Sequence, residues 1–321
     1  MTKERTMVNI YPPALERSTS GDIISMMRFM LTEGEPLEII AADIYALTGD
    51  LVEDFILTIP APVDKEERAI QENFKYVLRE YQYYNPRQYQ IGRILNLVVE
   101  GQDAVERISR LMGDIRRRDG GVTILGRYGY YSTRGEGRFP EAEYPASAPA
   151  TRDEAEAQID LLWTKYKALG GPHENVINYP PEEVSRVQQS LMVIKPNAFE
   201  QHLDPRLGDV IDAMSKSHLY MMGAKVIRPT PEEMAVFYSV HKDKPFFHEL
   251  VDFMSSKRSL ALLYEGVDAR DLVRTTALDI IRLAYTDGIM ENTVHTSDSP
   301  ADFEREHRVI DFGRNLLPSI P

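Results

Sequence analysis

Residues 192–200 read MVIKPNAFE, and residues 7–16 read MVNIYPPALE. Both are a short apolar run, then Pro, then a small residue, an apolar one and Glu. The run 191–194 reads as a strand. A second echo pairs LVVEGQDA (97–104) with LLYEGVDA (262–269), where a strand-like run ends at Glu-Gly and an acidic helix start follows. A third pairs SAPATRDEAEAQI (147–159) with DSPADFEREHRVI (298–310). Three landmarks in one order predict a tandem duplication. The copies differ in spacing, with 90 residues from Tyr11 to Gly101 against 71 from Lys195 to Gly266. The first copy therefore carries the insertions, expected as loops or extra helix. The Gly-, Pro- and Asn-rich stretch GGPHENVINYPP (170–181) reads as a linker, so the expected units are 1–169 and 187–321, joined by 170–186. A helix from about Arg152 to Leu169 would close the first.

Within the second unit the pattern predicts a helix over Leu207–Ser217 and a strand over Ala224–Ile227. Thr230-Pro231-Glu232-Glu233 has the form of a capping box with Pro at the first helical position. A short helix at 245–255, a strand at Ser259–Tyr264, a helix from Asp268 and a last helix opening at Ser299-Pro300 complete the reading. Strands alternating with helices across short loops point to an α/β or α+β sandwich, compatible with a split β-α-β arrangement.

Composition narrows the function. The chain has 321 residues, 43% of them hydrophobic, which fits two domains with their own cores. With no Cys, a disulfide scaffold, a thiolate metal site and a cysteine nucleophile are excluded. The 37 Lys+Arg against 50 Asp+Glu give a net charge of −13, which disfavours nucleic acid and anionic membranes as partners. The N-terminal MTKERTMVNIY lacks an apolar core, and no apolar run approaches the ~18 residues of a membrane span. A soluble, cytoplasmic protein is expected. The Arg/Tyr/Gly-rich segments IRRRDGG (115–121) and GRYGYYSTRGEGRF (126–139) read as an inserted hairpin or loop with solvated charges.

All seven histidines lie at or after position 173. His295 sits in NTVHTSDSP (292–300), directly before a helix start. Free N–H groups there suit an anionic phosphate beside the ring. Imidazole is largely neutral, hence nucleophilic, near pH 7. Glu306, eleven residues on, is placed inside the following helix to hold the ring's tautomer.

With VIKPNAF at 193–199, DKPFF at 243–247, LYEG at 263–266 and NTVHTSDS at 292–299, residues 190–313 resemble the nucleoside diphosphate kinases. The resemblance extends faintly through the repeat to residues 4–150. It implies an α+β fold of tandem ferredoxin-like units, each an antiparallel sheet covered by helices. It also implies transfer of the γ-phosphate of a nucleoside triphosphate to a nucleoside diphosphate through a phosphohistidine at His295. Ser297 and Glu306 match the residues that hydrogen-bond that histidine or its neighbours, and Lys195 the lysine on ribose and phosphate. Tyr238 matches the tyrosine near the phosphate, and Phe246 the ring that stacks on the base. Arg274 and Arg282 match two phosphate-gripping arginines. Asn292 matches the ribose contact, and Ile289 a small apolar residue against the base. Mg²⁺ would arrive with the nucleotide, and a homo-oligomer or intramolecular pseudo-dimer is implied.

Three positions depart from the family pattern. Lys244 stands where an arginine is usual, and Thr296 where a glycine follows the histidine. Only eight positions separate Arg274 from Arg282, a stretch that is longer in the family and holds a phosphate-binding threonine; Thr275 and Thr276 are both near enough to replace it. The alternative function is a weak or inactive nucleotide-binding scaffold. The first copy has no histidine. Aligning Pro149 with Pro300 sets Tyr144 opposite His295, and aligning Pro12 with Pro196 sets Tyr11 opposite Lys195.

Overall fold

A computed structural model describes residues 3–29, 35–83, 92–117, 121–133, 140–166, 179–200, 206–285, 288, 292–313 and 317. The chain divides into two compact units, mainly Met1–Ala168 and Tyr179–Asn315. Residues 170–178 of the expected linker lie outside the described residues.

In the second unit the strands are β7 (Val187–Ile194), β8 (Tyr220–Ile227), β9 (Ser259–Val267) and β10 (Val294–Thr296), ordered β10-β7-β9-β8 and antiparallel throughout. β7 begins four residues before its apolar run because Val187, Gln188, Gln189 and Ser190 pair with β9, which carries the polar lead-in through the ladder rather than through burial. The apolar half, Leu191–Ile194, is fully buried. The Thr230 cap is reciprocal: its hydroxyl accepts from Glu233 N–H at 3.2 Å, and the Glu233 carboxylate accepts from Thr230 N–H at 2.8 Å. That cap opens the helix Pro231–Phe237. Ser299 similarly accepts from Asp302 N–H at 3.1 Å and opens the helix Pro300–Ile310.

In the first unit β1 (Glu4–Ile10), β2 (Glu38–Ala46), β3 (Arg93–Gly101) and the short β6 (Ala146–Ser147) form a sheet ordered β2-β3-β1-β6. β4 (Tyr130–Ser132) and β5 (Glu141–Glu143) pair as a separate two-stranded hairpin. The helix Arg152–Asp160 runs on into a wide π turn, Leu161–Lys165. Residues 167–169 of the expected closing helix lie outside the described residues.

The two four-stranded sheets have the same order: second, third, first and last strand. Each second strand carries an irregularity at the same place, between Ile39 and Ala41 and between Met221 and Gly223. A Cβ on Gly101 would press on the tip of Leu37, and one on Gly266 on the tip of Leu219, so both Glu-Gly echoes sit under a leucine in the same way. Asp103 and Asp268 then turn left-handed, with φ 51° and 54°, to start a helix.

Candidate active site

His295 projects from β10, the edge of the second sheet. Its Nε2 lies 2.9 Å from a Glu306 carboxylate oxygen, which also accepts from the Ser297 hydroxyl at 2.6 Å. An ionised carboxylate only accepts, so Nε2 carries the proton and Nδ1 keeps its lone pair. The His295 ring meets Phe237 edge-on at 5.0 Å and Tyr238 at 5.2 Å. The Tyr238 hydroxyl is buried with no hydrogen-bond partner among the described residues, and burial followed by the Glu306 charge holds it protonated.

Lys195, at the end of β7, is 4% exposed, and its ammonium donates to Asn292 at 2.6 Å. Burial, then the neighbouring Arg282 guanidinium, pulls its pKa down to about 7. Arg282 donates to the Val294 carbonyl at 3.0 Å, one residue from His295. Burial and then Arg274 lower its proton affinity too. Lys195, Arg282 and Arg274 thus form a row of like charges in which each feels the next.

The short spacing between the arginines has a structural consequence. Residues 269–284 form one helical run. In a regular α-helix, residues eight apart sit about 80° apart around the axis. The wide turn Thr276–Ile281, in which Arg282 N–H bonds Ala277 O, takes up one residue and lets the arginines share a face. Thr276 is buried and Thr275 exposed. The Arg274 guanidinium is paired with Asp298, an exposed contact.

Phe246 is 38% exposed and packs 5.7 Å from the His241 ring, which stacks on Tyr238 at 6.3 Å. The sequence reading passed over His241, whose place in this aromatic run depends on a turn rather than on a motif. Lys244 is exposed; its backbone N–H donates to His241 O at 2.8 Å and its carbonyl accepts from Phe247 N–H at 3.1 Å. Ile289 lies outside the described residues. The structure therefore brings His295, Glu306, Ser297, Lys195, Asn292, Tyr238 and Arg282 together, with Arg274 beside them and held by Asp298.

In the first unit the register identifies the matching positions. β1 sets Ile10 opposite Leu95, and β7 sets Ile194 opposite Leu260; the next residues are Tyr11 and Lys195. Tyr11 N–H donates to Pro145 O and Lys195 N–H to Thr293 O, each at 2.9 Å. Two residues on lie Ser147 and His295, so Ser147, not Tyr144, is the counterpart of His295. The prolines misled the alignment because Pro300 sits inside its helix, whereas Pro149 precedes the cap Thr151. Counted from the caps, Gln158 stands for Glu306 and Ile56 for Tyr238. Tyr11 hydrogen-bonds Ser147 at 2.7 Å and packs against Phe74 and Tyr81 at 6.1 and 5.5 Å. Phe74 in turn packs on Tyr144 at 4.8 Å. Aromatic side chains thus pack around the Tyr11–Ser147 pair.

Compared with known proteins, residues 188–313 match the family "Nucleoside diphosphate kinase". The nucleoside diphosphate kinase of Rhodopseudomonas palustris is 39% identical over 123 residues, 36% of this chain and 86% of that protein. That of Aquifex aeolicus is 34% identical over 143 residues, 41% of this chain and 99% of that protein. Among solved structures, the Aquifex aeolicus enzyme aligns with TM-score 0.35 and 31% identity over 39% of this chain and 94% of that one. A Halobacterium salinarum nucleoside diphosphate kinase in complex with CDP aligns with TM-score 0.34 and 32% identity over 38% of this chain and 86% of that one.

Proposed function

The chain belongs to the nucleoside diphosphate kinase family, and from that premise we propose that its second unit passes the terminal phosphoryl group of a nucleoside triphosphate to a nucleoside diphosphate through a phosphohistidine on His295. The observation that carries this reading is the His295–Glu306 pair facing a row of cations that has an uncharged partner, Asn292, at Lys195. The Nδ1 lone pair attacks the γ-phosphorus, and the bond to the β–γ bridging oxygen breaks, its electrons leaving with the diphosphate. A terminal oxygen of the acceptor diphosphate then attacks the same phosphorus, and the P–N bond breaks to restore Nδ1. The Nε2 proton stays on the ring throughout, held by Glu306. Lys195 and Arg282 neutralise charge on the transferring group, with Arg274 available once it leaves Asp298. Tyr238 and Asn292 border the same space, and Phe246 offers an exposed ring face for any base.

A divalent cation would come on the nucleotide. Among the described residues no group of three or more His, Asp or Glu could cage one, while Lys195, Arg282 and Arg274 stand in the site. Mg²⁺ therefore fits as a phosphate-borne ion, and the protein's own steps are those above.

In the same proposal, residues 187–321 are the catalytic domain, 170–186 the linker and 1–169 a degenerate copy. Calorimetry would then find one nucleotide per chain. Homo-oligomeric assembly belongs to the reading as well, and sedimentation equilibrium reads it. Among the described residues no helix is long and apolar enough to cross a membrane. The deciding experiment is incubation with γ-labelled ATP. It should leave an acid-labile, base-stable label that is missing in His295→Ala, and an intact protein that takes no label rejects the proposal.

A further inference from the structure

Glu306 is 3% exposed at its side chain, and both of its oxygens are engaged. One serves His295 and Ser297. The other accepts from Arg305 Nη2 at 3.2 Å. The same guanidinium donates through Nε to the carbonyl of Phe237 at 2.9 Å and through Nη2 to Asp302 at 2.7 Å. Phe237 ends the helix Pro231–Phe237, so its carbonyl is among those a helix leaves without an internal partner. A side chain of adjacent sequence number thus ties together the carboxylate that holds the imidazole and the helix end that carries Phe237 and Tyr238, the two rings bracketing that imidazole.

We propose that Arg305 is a positioning residue for the phosphoryl-accepting histidine, acting through Glu306 and through the Phe237 carbonyl; this rests on the phosphohistidine reading. If Arg305 served only Asp302, it would be an ordinary i,i+3 pair near the surface, worth little. The geometry goes further, because the planar fork spans two helices at once, which a point charge does not. Without it, a nearly buried carboxylate oxygen loses its donor, Glu306 is free to rotate, and the Nε2–H is held less firmly. The nucleotide phosphates do not depend on Arg305, since Lys195, Arg282 and Arg274 face them. Its loss should therefore slow the chemical step and spare binding.

The test measures label formation by rapid quench, and nucleotide affinity by calorimetry, on the full chain. In Arg305→Met, which keeps most of the apolar stem, label formation should slow by about tenfold or more with affinity within about twofold of wild type. Combining it with Glu306→Gln should cost less than the product of the two single effects, because part of the effect passes through that carboxylate. Arg305→Lys reaches only one of the two partners and should fall between Met and Arg. It also replaces Arg305→Met as the test if the Met variant melts below the assay temperature. A wild-type rate in Met or Lys, a loss confined to affinity, or full additivity with Glu306→Gln overturns the assignment. A wild-type chain that takes no label overturns the phosphohistidine reading itself, whereas a labelled wild type beside an unaffected variant overturns only Arg305.

Discussion

At the end of its first strand each unit places one side chain next to the last strand of its sheet. In the second unit this is Lys195, a desolvated amine beside a guanidinium. In the first it is Tyr11, hydrogen-bonded to Ser147 and packed among aromatic rings. The frames around them agree down to the strand irregularity, the Glu-Gly glycine and the left-handed aspartate. What differs is whether the site is complete by itself. A row of like charges that lower one another's proton affinity favours an anion beside it, while a phenol with its serine and its rings is satisfied internally. A sheet order can therefore be kept while the chemistry at its rim is exchanged for packing.

The comparison breaks most sharply at His295. His295→Ala should lower phosphoryl transfer by at least roughly 10³-fold, with no residual label on the first unit, where Ser147 stands in its place. A label retained in that variant would show that the first unit is not the silent one.

A smaller effect separates Lys195 from Tyr11. The free Lys195 amine has a pKa near 7, and bound phosphate favours its charged form, so binding takes up a proton above that pH. Nucleotide affinity should hold below pH 7 and weaken by up to about tenfold per unit as pH rises past it. Calorimetry from pH 6 to 9 reads this, and Lys195→Met should flatten the slope. Tyr11 offers no such dependence. Tyr11→Phe should leave transfer unchanged and cost about 1 kcal/mol from the lost Ser147 hydrogen bond, seen as a lower melting temperature.

The smallest effect is at Arg274. Asp298→Asn releases it from an exposed ion pair, so affinity should rise about twofold to threefold at low salt, and the gain should fade as salt screens the arginine.

Much of this was legible in the sequence because it rests on local signals. The cap at Thr230, the strand at 191–194 and the histidine before the Ser299 helix are each fixed by a few neighbours. The Glu306 contact followed from its place inside that helix. The correspondence of Ser147 to His295 was not readable, because it depends on cross-strand register rather than on the nearest proline. Arg305 was missed for a related reason: its main partner outside its own helix is a backbone carbonyl 68 residues away, which no side-chain pattern reports. The wide turn before Arg282 was equally hidden, since an eight-residue spacing read as a deletion when it also sets helical phase.

β10 is three residues long and, among the described residues, pairs only with β7. So short a rim element opens more easily than the central strands, which are laced on both sides. Backbone pairing with β7 holds it, and side chains add to this, Arg282 on the Val294 carbonyl and Glu306 on Ser297 and His295. Warming would then unlatch the imidazole while the sheet is still intact. Amide exchange at Val294–Thr296 should accordingly outpace exchange in β7 and β9 as temperature rises.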